Sequence, residues 1–287
     1  MTHPGVRGIP SVNVWTTGWT WDPLVIGALA VAAVVYTIGA TRMWRHAGAG
    51  RGLQPWQVVA HGAGLTAIAI ALVSPLDHAS DVLFSAHMAQ HELLMLIAAP
   101  LVVLGRPLAP VMWSLPRGAR VRARRAVRTP SAVRAWRALT SPVSALVLHA
   151  LARCLWHVPA LFDAALADAR VHAFQHLTFF ATAVLFWWTL VHGRYGRAGY
   201  GVGVAFVFVT LIYSGLLAAV ISFANEPLYA HGERTIRIGM DALADQQRAG
   251  LVMWVPAGIV MMAIGLALLA AWLGHAERRT RVATPGE

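Results

Sequence analysis

Two pairs of histidines are the residues of this chain best suited to chemistry. His87 and His91, and likewise His172 and His176, are spaced four residues apart near the start of a hydrophobic segment. Four residues advance about 6 Å along an α-helix and turn about 40°, so each pair places two imidazoles on one face. A single histidine inside a membrane also serves as a hydrogen-bond partner between helices. Four at similar depth predict a metal or cofactor site, because ionisable residues there are costly.

The composition indicates that these histidines belong to a membrane protein. Of the 287 residues, 57% are apolar and only 12% are charged, whereas about 25% of residues are charged in soluble domains. Seven segments approach the roughly 20 residues that cross a bilayer. They are residues 23–41, 55–73, 82–104, 141–157, 172–192, 200–222 and 249–273. We therefore predict an all-α polytopic membrane protein with a seven-transmembrane-helix bundle.

The arginines predict the orientation of this bundle. All 23 basic residues are arginine, and they concentrate after the first, third, fifth and seventh segments. Because positive charge is enriched in cytoplasmic connections, we expect the N-terminus outside and the C-terminus in the cytoplasm. The predicted organisation is an extracytoplasmic segment (1–22), a membrane domain (23–273) and a cytoplasmic tail (274–287). Residues 105–140 are predicted to form a basic cytoplasmic loop with a short amphipathic helix.

The net charge also limits the partners. The chain carries a formal charge of +11 at pH 7, most of it on the predicted cytoplasmic side. This asymmetry favours contact with anionic membrane lipid over nucleic-acid binding. We expect lipid as a partner and no nucleic acid, while the oligomeric state is left open by the sequence.

The predicted topology places other metal-ligating side chains at the depth of the histidine pairs. The third, fifth and seventh segments begin on the outer side, and the fourth ends there. The candidate ligands of this layer are His87, His91, His172, His176, His157, Met88, Met95, Met253 and Cys154. Met95 continues the His87 and His91 face by another four-residue step and offers a thioether, which suits copper(I). For the methionines and the cysteine, ordinary packing is the alternative interpretation.

Acidic residues are few, which makes their positions informative. Asp77, His78 and Asp81 lie in the short outer connection after the second segment, and Asp245 precedes the last segment. These four residues are candidates to attract a cation to the outer rim or to orient ligand imidazoles. Glu92 and Arg153 both fall inside predicted segments, and we expect them to form an ion pair.

Four sequence blocks carry a resemblance to a known family. They are SPLDHASDVLFSAHMAQHELLMLIAAPLVVLGRP, LWHVPALFDAALADARVHAFQHLTFFATAVLFWW, NEPLY and DQQRAGLVMWVPAG, in this order between Ser74 and Gly258. The patterns HMxQH, WHxPxLxD, HxxxHxxF and DQQxAGxxMW are specific. In order and spacing, the blocks resemble the multi-pass CtaG family of cytochrome c oxidase assembly factors.

The resemblance implies a function. A member of this family would be a non-enzymatic protein of the bacterial cytoplasmic (inner) membrane that helps to build haem-copper oxidase. The family's motif positions fall on His87, His91, His157, His172, His176 and Asp245. The implied cargo is copper, expected as copper(I), and the implied partners are the oxidase catalytic subunit and a periplasmic copper donor. Copper would enter from the outer rim and leave by ligand exchange.

Other functions are open to the same residues. A membrane electron carrier could bind haem between one histidine of each pair. A zinc hydrolase could use an imidazole-bound metal to activate water, although Glu92 follows His91 and the HExxH order is absent. A transporter is a further alternative, but the chain lacks a clear pair of Gly- or Pro-broken segments in matching halves.

Overall fold

The computed structural model describes residues 18–193 and 199–283, with side chains as far as residue 274. Within these ranges the chain is helical and contains no β-strand. Residues 1–17 of the predicted extracytoplasmic segment and residues 284–287 of the predicted tail lie outside the described residues. The all-α prediction is therefore confirmed for the described part of the chain.

The described residues form fourteen α-helices and one π-helical segment. In chain order they are α1 (Pro23–Ala47), α2 (Pro55–Val73), α3 (Pro75–Ser80), α4 (Phe84–Glu92), the π segment (Leu93–Ala98), α5 (Ala99–Leu104), α6 (Leu108–Ser114), α7 (Arg117–Ala126), α8 (Pro130–Leu139), α9 (Pro142–Trp156), α10 (Pro159–Ala167), α11 (Ala169–His192), α12 (Gly199–Ser222), α13 (His231–Arg237) and α14 (Ala242–Ala283).

Six of the helical stretches in the described ranges are long and apolar enough to cross a membrane. They are α1, α2, the continuous run α4–π–α5, α11, α12 and Ala242–Gly274 of α14. α8 and α9 meet the same criteria together, but a bend of 58° separates them. The number of spans is thus six, or seven if the bent pair crosses as one, close to the predicted seven. The direction in which they cross stays a prediction.

Prolines and capping residues explain where several of these helices begin. Pro23, Pro55, Pro130 and Pro142 each occupy the first position of a helix. Proline is favoured there because the first turn leaves its backbone N–H groups unpaired in any case. Asp22 also accepts a hydrogen bond of 2.7 Å from the backbone N–H of Leu24. The first two spans therefore start at the predicted residues.

The third span changes helical form immediately after the first histidine pair. In the π segment the N–H of Ala99 donates to the carbonyl of Leu94, five residues earlier. In this register the carbonyl of Met95 would accept from residue 100, but Pro100 has no N–H. The indole Nε1–H of Trp187 on α11 donates to that carbonyl instead, at 2.8 Å. The π segment thereby ties the third span to α11.

The predicted basic loop is more structured than the sequence indicates. Residues 105–140 form three short helices, α6 to α8, where the sequence analysis predicts one. α6 lies against α1 so closely that a Cβ on Gly39 would overlap the carbonyl of Pro110. The predicted basic helix is present as α7, whereas α6 was not predicted because its apolar run is too short to give a clear helical pattern. α7 contains the basic sequence RGARVRARRA and has no buried residue.

The candidate metal centre

The two histidine pairs converge between α4 and α11. The ring centroids of His87 and His172 lie 5.1 Å apart, as do those of His91 and His176. Within each pair the centroids are 4.4 Å apart on α4 and 4.2 Å apart on α11. Potential ligand atoms of His87, His91 and His172 all lie within 4.8 Å of one another. We call His87, His91, His172 and His176 the histidine cluster.

Several ring nitrogens of the histidine cluster are buried without a hydrogen-bond partner. His87 and His91 are each only 1% exposed. His87 Nε2, both ring nitrogens of His91, His172 Nε2 and His176 Nε2 are buried and have no hydrogen-bond partner among the described residues. Buried polar atoms normally have partners because leaving them unpaired costs free energy. Several bare imidazole nitrogens around one point fit a transition metal, for which imidazole is a common ligand.

Aromatic side chains close the histidine cluster on two sides. The ring of Phe162 on α10 lies 5.1 Å from that of His87, and Phe179 on α11 lies 4.7 Å from His91. Both phenylalanines are buried and meet the imidazoles edge to face. These apolar walls restrict water and hold the imidazoles in place.

A fifth histidine, His231, lies beside the cluster and was missed by the sequence analysis. It begins α13, is fully buried, and its ring centroid lies 6.0 Å from that of His87. His231 Nε2 donates to the carbonyl of Ser80 at 2.9 Å, and burial lowers the pKa of His231. It escaped notice because it stands alone in a connection outside the spans. Its position shortly after the NEPLY block, from which only Ala230 separates it, was the available signal.

His157 and Met88 form a separate contact close to the cluster. His157 Nε2 lies 3.4 Å from Met88 Sδ, and both residues are buried. His157 Nδ1 lies 2.6 Å from the carbonyl oxygen of Arg153, to which it donates. The hydroxyl of Tyr229 in turn donates to the carbonyl of His157 at 3.0 Å. These bonds fix His157 at the end of α9.

The remaining predicted ligands lie elsewhere. Met95 and Met253 line a cavity that also contains Glu92 and Arg153. Arg153 Nη2 donates to Glu92 Oε1 at 2.8 Å, so the predicted ion pair within the membrane domain is present. Cys154 is exposed on α9, away from the buried cluster. The structure thus brings together the four histidines of the two pairs, whereas Met95 and Met253 line a neighbouring cavity and Cys154 is exposed.

The predicted access residues take different roles. Asp81 and His172 line one recess of about 550 Å³ between α10, α11 and α13. Arg234 crosses this recess and donates to the backbone carbonyls of Asp81 and Leu166, at 3.1 and 2.9 Å. His78 is exposed on α3. The recess reaches the histidine cluster at His172 and is therefore a route to it.

Asp77 and Asp245 both bind α4, which carries His87 and His91. Asp77 Oδ1 accepts from Gln90 Nε2 of α4 at 2.8 Å, and burial raises the pKa of Asp77. Asp245 of α14 accepts from the backbone N–H of Phe84 at 2.6 Å and from the Ser85 hydroxyl. It caps α4, whose preceding residue Leu83 has no side-chain acceptor. Asp245 thereby fixes the helix start one turn before His87.

Comparisons with known proteins extend these observations. No solved structure matches the chain. The chain is 23% identical over 283 residues to uncharacterized proteins of Mycobacterium bovis and Mycobacterium tuberculosis, and 23% identical over 278 residues to one of Mycobacterium leprae. Each alignment covers 94% of this chain but 41% of the relative. The chain therefore spans less than half the length of the curated relatives it matches.

A family match covers most of the chain. Residues 34–275 match the family described as cytochrome c oxidase caa3 assembly factor (Caa3_CtaG). The matched residues include the histidine cluster, His157, His231 and Asp245. The chain belongs to this family of cytochrome c oxidase assembly factors.

Proposed function

We propose that the protein binds copper in the histidine cluster and delivers it to the catalytic subunit of a haem-copper cytochrome c oxidase. The observation that carries this proposal is the convergence of four histidines, His87 and His91 buried and His172 and His176 half-buried, five of whose ring nitrogens are buried without a partner among the described residues. The multi-pass helical fold and the family of assembly factors support a site in the bacterial cytoplasmic membrane. A periplasmic copper donor would supply the ion.

The donor set favours copper among the common metals. Divalent copper binds nitrogen ligands more tightly than the other divalent first-row metals, and copper(I) accepts imidazole and thioether ligands. Both ligand types lie close together here, because Met88 precedes His91 by one helical turn on α4. A site for magnesium or calcium would instead require several oxygen ligands.

Each part of the site has a task in this proposal. The recess with Asp81 admits the ion, and His172, at its inner end, meets the ion first. His87, His91 and His176 complete the binding site, while Phe162 and Phe179 keep water away. Copper leaves when ligands of the partner replace the imidazoles one at a time. The protein carries cargo, and no substrate bond is made or broken.

The test is copper binding by purified protein. We would load detergent-solubilised protein anaerobically with copper(I), remove excess metal and measure bound copper. The His87→Ala/His91→Ala variant should lose nearly all copper, whereas His78→Ala, which changes an exposed histidine of the same region, should retain it. Circular dichroism would show that all three proteins are folded. Stoichiometric copper in the double variant would contradict the proposal.

The same samples test the haem alternative. One histidine from each of α4 and α11 could in principle ligate haem iron from both sides. However, the imidazoles pack directly against one another and against Phe162 and Phe179, which leaves little width for a macrocycle. A low-spin haem absorption band in purified protein would favour an electron carrier over a copper carrier.

A further inference from the structure

The contact between His157 and Met88 is unusual in its chemistry. A neutral imidazole carries one N–H. Because His157 Nδ1 donates to the carbonyl oxygen of Arg153, this hydrogen lies on Nδ1. His157 Nε2 is then a lone-pair nitrogen, and it faces Met88 Sδ at 3.4 Å. A thioether sulfur has lone pairs but no hydrogen to donate. Two electron-pair donors therefore meet with no hydrogen between them.

The surroundings make this arrangement costly without a third group. Met88 is fully buried and His157 is 5% exposed. Phe162, Tyr229 and Met253 belong to the same buried cluster as Met88. A buried acceptor that lacks a donor loses the free energy of its missing bond. A cation that binds both atoms would remove this cost.

The distance fits two ligands of one metal ion. Metal–nitrogen and metal–sulfur bonds are about 2.0 and 2.3 Å long. For ligand–metal–ligand angles between about 90° and 120°, these lengths place nitrogen and sulfur about 3.0 to 3.7 Å apart. The observed 3.4 Å lies in this range. A linear two-ligand site would need about 4.3 Å, so a third ligand is implied.

His91 is the residue placed to supply the third ligand. It follows Met88 by three residues on α4, and side chains at this spacing are neighbours on a helix surface. Both of its ring nitrogens are buried and unpartnered within the described ranges. His91 also belongs to the histidine cluster. An ion could therefore pass from the cluster to Met88 and His157 while His91 holds it.

We propose that Met88 Sδ and His157 Nε2, with His91 as a shared ligand, form a second copper(I) site through which copper passes after the histidine cluster. The inference rests on the proposed function, in which copper is the cargo. The thioether gives this site a preference for copper(I) over copper(II), because soft sulfur ligands select copper(I). The histidine cluster alone would lack that preference.

The test uses the full chain in detergent, loaded anaerobically with copper(I) as the probe. Copper content and copper X-ray absorption spectra would be measured for wild type, Met88→Leu and the control Met262→Leu. Leucine nearly conserves the volume of methionine, and Met262 is 53% exposed. We expect sulfur scattering from the bound copper in wild type and in the control, and bound copper with nitrogen ligands alone in Met88→Leu.

A further variant separates this inference from the proposed function. His172→Ala/His176→Ala removes cluster ligands that the second site does not use, so it should keep about one copper bound to sulfur. Wild-type copper with nitrogen ligands alone, or sulfur scattering that persists in Met88→Leu, would overturn the second site and leave the cluster intact. Wild-type protein that binds no copper would overturn both. The wild-type spectrum decides the matter even if a variant fails to fold.

Discussion

At the scale of single residues, Glu92 and Arg153 show how charged side chains are accommodated inside the membrane domain. Their side chains are 7% and 4% exposed, and they meet at 2.8 Å. Transfer of both charges from water is costly, so such a pair adds little net stability. Loss of one partner is different, because it leaves the other charge buried alone. The pair therefore acts chiefly to hold α9 against the third span.

We predict that Glu92→Gln lowers the free energy of unfolding by about 3–5 kcal/mol, because Arg153 then remains buried without a counter-charge. The double change Glu92→Gln/Arg153→Met should recover most of this loss. Thermal unfolding in detergent would measure both, with Glu226→Gln, an exposed site, as the matched control. Equal stability of Glu92→Gln and wild type would show that the ion pair has no such role.

The positions of single residues were predicted best where they depend only on neighbours in the sequence. The spacing of His87 with His91 and of His172 with His176 was enough to place each pair on one face, and the structure joins the two faces. His231 could not be found this way, since its approach to His87 depends on how α13 folds back over α4. The same limit applies to Asp245, which caps a helix 161 residues away in sequence.

At the scale of helices, the π segment is the element that departs most from a regular pattern. π-helical turns are rare and are frequent at functional sites. This one begins directly after His91 and Glu92 and ends two residues before Pro100. Trp187 satisfies the carbonyl that the proline leaves free. The third span is consequently held to α11 one helical turn beyond His91.

We predict that Trp187→Phe destabilises the protein by about 1–3 kcal/mol, because the buried carbonyl of Met95 loses its donor. Adding Pro100→Ala should reduce the loss, since the substituted residue supplies a backbone N–H five positions after Met95. Thermal unfolding of both variants checks this, with Trp56→Phe, an exposed tryptophan, as the control. If the double variant were less stable than Trp187→Phe, the assigned role of Pro100 would be wrong.

The helix bounds were largely predictable, whereas the change of helical form was not. Apolar length placed the first two spans, which the structure begins at prolines, and the other five predicted segments overlap observed helices. The prediction that Met95 continues the histidine face assumed an unbroken α-helix. Met95 lies in the π segment, and its sulfur is 3.9 Å from Arg153 Nη1. Periodicity cannot be extended through a turn that contains extra residues.

At the scale of the whole molecule, the basic connection and the candidate metal centre lie toward opposite ends of the third span. The histidine cluster and the recess with Asp81 lie near the connections on one side of the bundle. The exposed arginines of α7 and α8 follow the C-terminal end of the third span. If these arginines face the cytoplasm, as the positive-inside rule predicts, the recess opens toward the periplasm, where a copper donor would meet it.

Side-specific cysteine labelling tests this predicted orientation. In a Cys154→Ser background, Glu233→Cys on α13 should react with a membrane-impermeant maleimide in spheroplasts. Ser131→Cys on α8 should react only after the membrane is broken. Both positions are exposed, and Cys154→Ser alone serves as the unlabelled control. The opposite labelling pattern would reverse the topology and place the recess in the cytoplasm.

The burial of His87 and His91 affects the rate at which a bound ion exchanges rather than the affinity for it. His87 and His91 are each 1% exposed, with Phe162 and His231 over them, so an ion that has met His172 in the recess can reach or leave these two imidazoles only when this cover moves. Segment motions of this kind take microseconds to seconds. Copper release to a competing chelator should then reach a limiting rate that more chelator does not raise. The protein would hold its cargo through kinetics, and a docked partner could speed delivery simply by opening the cover.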